Sequence, residues 1–347
     1  MNYFVTGASG FLGSNLINFM NEDSQITILA LQNEDISHLK LRPNMKIVRG
    51  NVLDYKCMLE NIKEDDVVIH MAGIIDISTD DKSMLYNVNV QGTKNVADAC
   101  LMNKAKKLIY ISSVHAFVPK KNKELMDETS SINPEQVVGD YSKSKALATN
   151  YIHSLKDKGL NVSVVYPSGI IGPNDEKVSN TSHLILDIAN KKIKARVNGA
   201  YDFVDVRDVA KGIIEIAKLK DDEDFILSGE KITIDEIFQV IDSFLGRNKK
   251  TPKIATWFVK MFASLAELYY KVRKQKPLFT KYSLYTITSN CNFTHSKATN
   301  AFGYNPIPIK QSILQTLIWY FENKPNLLEN DVLSIIKQIK KENFYQV

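Results

Sequence analysis

The chain has 347 residues, 44% of them hydrophobic, and 44 Lys and Arg against 39 Asp and Glu give a formal net charge of +5. Plentiful apolar and aromatic residues exclude a disordered chain, and so weak a basic excess fits an anionic cofactor better than nucleic acid, which calls for a clustered basic stripe. The three cysteines, Cys57, Cys100 and Cys291, lie far apart with no Cys-x-x-Cys pair, so neither a metal site nor a disulfide framework is expected, and the usage fits a reducing, cytoplasmic compartment.

The N-terminus runs straight into a strand, with no basic region and no cleavage site, so no signal peptide is expected. That strand, Tyr3-Phe4-Val5, feeds Thr6-Gly7-Ala8-Ser9-Gly10-Phe11-Leu12-Gly13, a glycine-rich turn opening a helix. A helix start offers free N–H groups and the positive end of its dipole, and both attract phosphate. Side chains at the glycines would block the turn, the pyrophosphate and the helix–strand packing. The spacing Gly-x-x-Gly-x-x-Gly is a moderate signal alone and gains weight only from its strand and helix context.

Beyond the turn, β-rich runs fall at Ile26–Leu31, Lys46–Val48, Val67–His70, Lys107–Ser112 and Val162–Tyr166. Helical patterns separate most of them, at Phe11–Met20, Ser83–Met102 and Tyr141–Lys156. Such alternation predicts βαβ units and an α/β fold with a doubly wound parallel sheet. Val67-Val68-Ile69 and Leu108-Ile109-Tyr110-Ile111 are nearly continuous apolar runs, as central strands covered on both faces require. After Pro167 come a loop with Gly169, Gly172, Pro173 and Asn174, helices around Leu184–Lys191, Asp208–Lys218 and Thr233–Phe244, and a short strand at Phe225–Ser228. Ile254 to Tyr270 reads as an amphipathic helix, too short and too charged for the roughly 20 residues of a membrane span. It is expected to pack on the body, with peripheral membrane contact through the basic residues after it as the alternative. A last helix at about Val332–Glu342 is charged on one side and is expected to dock on the body or on a partner.

Tyr141 and Lys145 stand at i and i+4, one turn apart on one helix face. A nearby ammonium stabilises a phenolate and lowers the tyrosine pKa, which is what a phenol needs to exchange a proton near neutral pH. Tyr270 with Lys274 and Tyr320 with Lys324 repeat the spacing and are read as solvated helix faces. Tyr141 differs because it comes after a strand ending in Ser112-Ser113, and strand C-termini line the ligand crevice of a doubly wound sheet. Ser113 there would either hold a carbonyl or carbinol oxygen opposite Tyr141, or cap the strand end.

Together these pieces resemble the extended short-chain dehydrogenase/reductase family over roughly residues 2 to 325, with spelling similar to its dihydroflavonol-reductase-like and hydroxysteroid-dehydrogenase-like members. The matches are Gly7, Gly10 and Gly13; His70-Met71-Ala72-Gly73; Asn89-Val90-Gln91-Gly92-Thr93; Ser113; Tyr141 with Lys145; Tyr166-Pro167-Ser168; and Phe203 to Ala210. The resemblance implies a Rossmann-type NAD(P)-binding domain at 1–166, completed by about 204–230, and a smaller substrate lobe from 167–203 and 231–325, with 326–347 a helical tail. It implies that Ser113, Tyr141 and Lys145 are catalytic. The implied cofactor contacts are Thr6, Gly7, Ser9, Gly10, Phe11, Leu12, Gly13, Gln32, Asn51, Val52, Met71, Ala72, Gly73, Asn89, Tyr141, Lys145, Tyr166, Pro167 and Ser168. No metal is implied, and a homodimer through Ser83–Met102 and Tyr141–Lys156 is common among such proteins.

Two departures bear on chemistry. Gln32 stands where NADP-preferring relatives often place arginine, while Glu34 and Asp35 fall late and would cap a helix after them; Asn51 replaces the usual aspartate near the adenine. The choice between NAD and NADP therefore stays open. Nucleotide-sugar enzymes of the family carry arginine where this chain has Tyr201, and a diphosphate would lack its bidentate partners unless Arg196 or Arg207 substitutes. The expectation is an NAD(P)-dependent oxidoreductase acting on a small hydrophobic ketone, aldehyde or alcohol. The pocket is expected from Ile74–Asp80, Val114–Pro119, Gly169–Asn174 and the C-terminal lobe. The alternatives are a nucleotide-sugar epimerase or dehydratase with retained NAD, and a non-catalytic NAD(P)-binding regulator.

Overall fold

The computed structural model describes residues 1–75, 82–121, 124–248, 251–255 and 281–342. Its strands are β1 (Asn2–Thr6), β2 (Gln25–Ala30), β3 (Met45–Arg49), β4 (Asp66–His70), β5 (Lys107–Ile111), β6 (Val162–Pro167), β7 (Gly169–Ile171), β8 (Arg196–Val197), β9 (Ala200–Asp205), β10 (Phe225–Leu227), β11 (Glu230–Thr233) and β12 (Lys253–Ile254). The first eight helices are α1 (Phe11–Phe19), α2 (Tyr55–Asn61), α3 (Lys82–Tyr86), α4 (Thr93–Met102), α5 (Asp140–Lys156), α6 (Asn180–Ala189), α7 (Val206–Lys218) and α8 (Ile234–Phe244).

Seven parallel strands form the main sheet in the order β10-β6-β5-β4-β1-β2-β3. The period of two along each strand sends successive apolar residues into opposite layers. Val5, Ile69 and Ile109 face α1 and α7, packing with Leu16, Ile17, Ile213 and Ile216. Phe4, Val68 and Leu108 face the other way, against Met58, Val96, Cys100 and Ile152 of α2, α4 and α5. Both layers exclude water, which is why these strands read as continuous apolar runs; each fully buried Val, Leu or Ile contributes about 1.5–3 kcal/mol.

The strand order reverses between β1 and β4, which lie side by side with Thr6 opposite His70. Ligands bind an open α/β sheet outside the strand C-termini at such a switch point. A smaller sheet, β11-β9-β7, stands beside the main one. Its core gathers Ile185 and Ile188 of α6, Ile237 and Ile241 of α8, and Ile313, Leu317 and Tyr320 of the helix Ile309–Asn323.

Several elements differ from expectation. Ser83–Met102 is not one regular helix, because a π-helical segment, Asn87–Gly92, separates α3 from α4. No helix starts after Asp35. Tyr320 is no solvated face: it is fully buried and its hydroxyl donates to the Asp175 carbonyl at 2.9 Å. Val332 and Ile336 of the last helix, Asn330–Lys341, are buried in the second core, so it docks on the body. Of the stretch 254–270 only the first two residues are described, Ile254 lying in β12, which pairs with β8; Tyr270 and Lys274 lie outside the described residues. No helix among the described residues is long and apolar enough to cross a membrane.

Candidate active site

The groove begins at the glycine turn. Gly7 has φ of +74°, open to glycine at little cost, and a Cβ there would sit 2.6 Å from the Ala72 nitrogen. A Cβ at Gly13 would sit 2.2 Å from the Gly7 carbonyl oxygen. The chain therefore closes on itself as tightly as backbone allows, and α1 starts at Gly10 with no side-chain cap on its N–H groups. Phe11 and Leu12 open that helix. An uncapped helix end over side-chain-free backbone fits a dinucleotide pyrophosphate.

A buried hydrogen-bond chain supports the turn from below. The Thr6 hydroxyl lies 2.7 Å from His70 Nδ1, His70 Nε2 lies 2.9 Å from the Thr93 hydroxyl, and that hydroxyl donates to the Asn89 carbonyl at 2.8 Å. Burial drives the His70 pKa down to about 3, so the imidazole is neutral and serves as a spacer. Met71 donates its N–H to the Thr6 carbonyl, Ala72 its N–H to the Thr6 hydroxyl. Asn89, in the π-helical segment, accepts from the Ile74 N–H at 2.7 Å and donates to the Ile74 carbonyl and to the Ser144 hydroxyl, each at 3.0 Å. A π-segment re-aims a side chain, and such segments are frequent at functional sites. Gly73 lies between, where a Cβ would meet Asn89 Oδ1 at 3.2 Å and Lys145 Nζ at 3.6 Å.

The rim beyond β2 differs from expectation. Glu34 caps no helix; its carboxylate turns back to accept from the Ser9 hydroxyl, and Lys177 Nζ reaches it at 3.1 Å. Burial raises and these bonds lower the Glu34 pKa, with the bonds prevailing. The rim thus carries both signs of charge. Gln32 is exposed there, and Asn51 is exposed with its side chain accepting from the Leu53 N–H at 3.0 Å. Val52 is buried, and its carbonyl accepts from Asn95.

Tyr141 and Lys145 lie on α5, buried, and Ser113 closes β5 opposite them. Ser113 beside the Tyr141 phenol favours the phenolate, but burial outweighs it and holds the phenol above the usual tyrosine range. Burial brings Lys145 down to about 7. Its ammonium donates to the Ile111 carbonyl at 2.7 Å and stands 5.1 Å from the Tyr110 ring centre. Ser113 also accepts from the His115 N–H at 3.2 Å, which caps the 3-10 turn Val114–Ala116. Pro167 ends β6, Ser168 is buried just beyond it, and burial raises the Asp202 carboxyl to about 6. The Tyr166 ring departs from expectation: it is buried against Phe117, 4.6 Å between centres, with its hydroxyl toward His153 and Asp224. Any contact Tyr166 makes in the groove is through its backbone.

Across the groove stands an aromatic wall. His115 Nε2 lies 2.8 Å from the Tyr201 hydroxyl, and the two rings stack 5.7 Å apart. Tyr282 reaches His115 Nδ1 at 3.5 Å and the Ser142 hydroxyl at 3.0 Å. Its ring fills the space over Gly139, where a Cβ would lie 2.4 Å from it. His115 lies in Val114–Pro119, a segment the sequence already assigns to the pocket; Tyr282, in the C-terminal lobe, is 140 residues from Ser142 and carries no local signal of its own. A cavity beside this wall is lined by Phe117, Met126, Val137, Val138 and Phe293. Both arginines that could hold a diphosphate are engaged elsewhere. Arg207 grips Asp205 through two nitrogens at 2.8 and 2.7 Å and bonds Gln315; Arg196 donates to the Thr251 carbonyl and pairs with Asp235 at 3.3 Å.

A switch-point groove with a glycine cradle, facing a buried Ser, Tyr and Lys, defines a dinucleotide-dependent enzyme of the Rossmann class. The chain belongs to the NAD dependent epimerase/dehydratase family, whose model matches residues 3–227, and is an NAD(P)-dependent enzyme of the extended short-chain dehydrogenase/reductase type. It is 25% identical to sterol demethylase protein B of Methylococcus capsulatus over 93% of this chain and 99% of that one. It is 31% identical to 3beta-hydroxysteroid-dehydrogenase/decarboxylase isoform 1 of Arabidopsis thaliana, covering 73% of this chain and 61% of that one. Among solved structures, gox2253 superposes with a TM-score of 0.82 at 26% identity, covering 94% and 99% of the two chains. A UDP-N-acetylglucosamine 4-epimerase from Methanobrevibacter ruminantium, 19% identical with a TM-score of 0.72 over 92% and 98%, shares the fold.

Proposed function

We propose that this enzyme interconverts an apolar ketone or aldehyde and its alcohol by hydride transfer, with Ser113, Tyr141 and Lys145 as its catalytic residues. The observation that carries this reading is the wall opposite Tyr141. Among the described residues it is built of Tyr201, His115 and Tyr282, with Arg196 and Arg207 tied to carboxylates, so it offers a diphosphate no bidentate partner. Relatives whose names include hydroxysteroid dehydrogenase support the same choice.

When bound, the nicotinamide gives or takes the hydride. Gly7, Gly10, Gly13 and the free N–H groups of α1 would hold the pyrophosphate, and Gly73 leaves room beside Lys145. In the reductive direction the carbonyl carbon gains the hydride pair while its oxygen takes a proton from the Tyr141 hydroxyl. Ser113 donates a hydrogen bond to that oxygen and fixes its direction. Lys145, when charged, stabilises the phenolate left behind, which burial alone disfavours. The buried setting of the three groups keeps water from competing for the proton.

The test is reduced-nicotinamide absorbance with a panel of apolar ketones and aldehydes. Consumption by the native enzyme is expected, and Tyr141→Phe is expected to lose at least a thousandfold in turnover while binding the cofactor with near-native affinity. Near-normal turnover in that variant would sink the assignment. Bound NAD released on denaturation, with no net consumption, would favour an epimerase instead.

A further inference from the structure

We propose that Glu34 sets the cofactor preference: its carboxylate accepts a hydrogen bond from the 2′-hydroxyl of the adenosine ribose of NAD and excludes the 2′-phosphate of NADP. This concerns the dinucleotide end of the groove and holds whichever reaction the substrate end performs. In a doubly wound sheet an acid about 20 residues beyond the glycine turn, where the second strand ends, bonds the ribose of NAD, and an arginine there receives the 2′-phosphate of NADP. Here β2 ends at Ala30, and Gln32 just beyond it is neutral and exposed. Glu34 lies further along, yet its carboxylate folds back into that place. Oε1 accepts from the Ser9 hydroxyl of the glycine turn, and Oε2 accepts from the Leu31 N–H at 3.3 Å, one residue past β2. Two bonds shape the backbone for this: the Glu34 N–H donates to the Leu31 carbonyl at 3.1 Å, and Arg49 Nη1 donates to the Leu31 and Glu34 carbonyls, each at 2.9 Å.

The bonding leaves a place for a hydroxyl and none for a phosphate. A carboxylate oxygen can accept two hydrogen bonds, and among the described residues Oε2 has one, a long one. Burial raises the Glu34 pKa, but the bonds from Ser9, Lys177 and Leu31 prevail and keep the group an anion. A ribose hydroxyl donating to it gains a charge-assisted bond. The groups that a phosphate needs are already taken. Ser9 gives its one proton to Glu34. Lys177 Nζ stands 3.1 Å from Glu34 Oε1 and 3.2 Å from the Ser9 hydroxyl. Lys177 comes from the segment between β7 and α6, whose backbone is tied down on either side of it: Tyr320 donates to the Asp175 carbonyl at 2.9 Å and Lys324 to the Glu176 carbonyl at 2.7 Å. One ammonium is thus matched by one carboxylate. No net positive charge is left for a phosphate monoester carrying about −1.5 to −2, whereas a neutral ribose needs none.

The experiment titrates the whole chain, without substrate, with NADH, the 2′-deoxyadenosine analogue of NADH, and NADPH, following nicotinamide fluorescence. The Kd is expected to be lowest for NADH, about tenfold higher for the deoxy analogue, which lacks one charge-assisted bond, and about a hundredfold higher for NADPH. In Glu34→Gln the NADPH-to-NADH ratio of Kd is expected to fall below about ten, chiefly because NADPH binds more tightly. Glu34→Asp keeps the charge on a shorter stem and is expected to weaken NADH while still excluding NADPH. A merely structural role for Glu34 weakens both cofactors alike and leaves the ratio intact, which overturns the proposal. So does a native enzyme that binds NADPH as tightly as NADH, the result if Lys177 receives the phosphate. The deoxy analogue tests the native protein by itself: an affinity equal to that of NADH overturns the proposal even if the Glu34 variants fail to fold. Binding without substrate keeps this outcome separate from that of the reductase assay.

Discussion

The two walls of the groove are held by different chemistry. On the cofactor side, Thr6, His70, Thr93 and Asn89 form a chain of bonds between 2.7 and 2.9 Å, deep under backbone that approaches within the space of a missing methyl. On the substrate side, rings from three distant segments meet with one good bond and one at 3.5 Å. The first wall has no slack: its members are bonded in series, and a change at one is felt along the chain. The second is a stack of rings joined by one short bond and one long one. Such a division lets one dinucleotide cradle serve many substrates, because only the second wall has to be respelled.

Gly13→Val is the most severe way to break this contrast. Its Cβ would fall 2.2 Å from the Gly7 oxygen, and backbone cannot yield, so cofactor binding is expected to vanish, read from nicotinamide fluorescence, with a marked loss of folded protein. Retained binding would show that the cradle has slack after all.

Asn89→Ala probes the same wall more gently. It strands the Ile74 N–H and carbonyl and takes a donor from the Ser144 hydroxyl, which still donates to the Tyr141 carbonyl. The expected cost is about 1–3 kcal/mol of stability, with cofactor affinity lowered about tenfold; urea unfolding and a binding titration check both. An unchanged midpoint would mean that water replaces the amide.

Acid acts on both walls without changing a residue and sharpens the comparison. His70 is held to about 3 against an ordinary 6.5. Between those values the unfolded chain takes up a proton that the folded one refuses, so stability is complete above about pH 6.5 and falls as pH drops. The slope is at most about 1.4 kcal/mol per pH unit from this residue. Burial of His115, down to about 4, adds in the same direction. Unfolding at pH 7, 6 and 5 should show a steeper loss in the native protein than in His70→Gln. Equal slopes would place the proton uptake elsewhere.

Much of the first wall is legible in the sequence because its causes are local. Glycine spacing, continuous apolar runs and a Tyr-x-x-x-Lys turn are consequences of backbone geometry within a few residues. The short helix α2 carries a signal too, Asp54 capping the Cys57 N–H at 3.1 Å, though its pattern is too short to stand out. Glu34 reads as a cap because sequence shows a residue's neighbours along the chain and not the groups that fold over it; Ser9 and Lys177 are its partners from 25 and 143 positions away. Tyr320 looks solvated for the same reason: helical spacing names a face without saying what covers it.

By itself the sequence determined the parallel sheet, the glycine cradle and the placing of Ser113 with Tyr141 and Lys145, since period-two apolar runs, glycine turns and one helical turn are all short-range rules. Only the tertiary structure decided that Arg196 and Arg207 are spent on carboxylates, that Asn89 joins the Ile74 loop to α5, and that His115 meets Tyr201 and Tyr282. Those contacts link residues that the chain separates by up to 167 positions, and they are chosen by packing and by the need to pair buried polar groups, which no local pattern records.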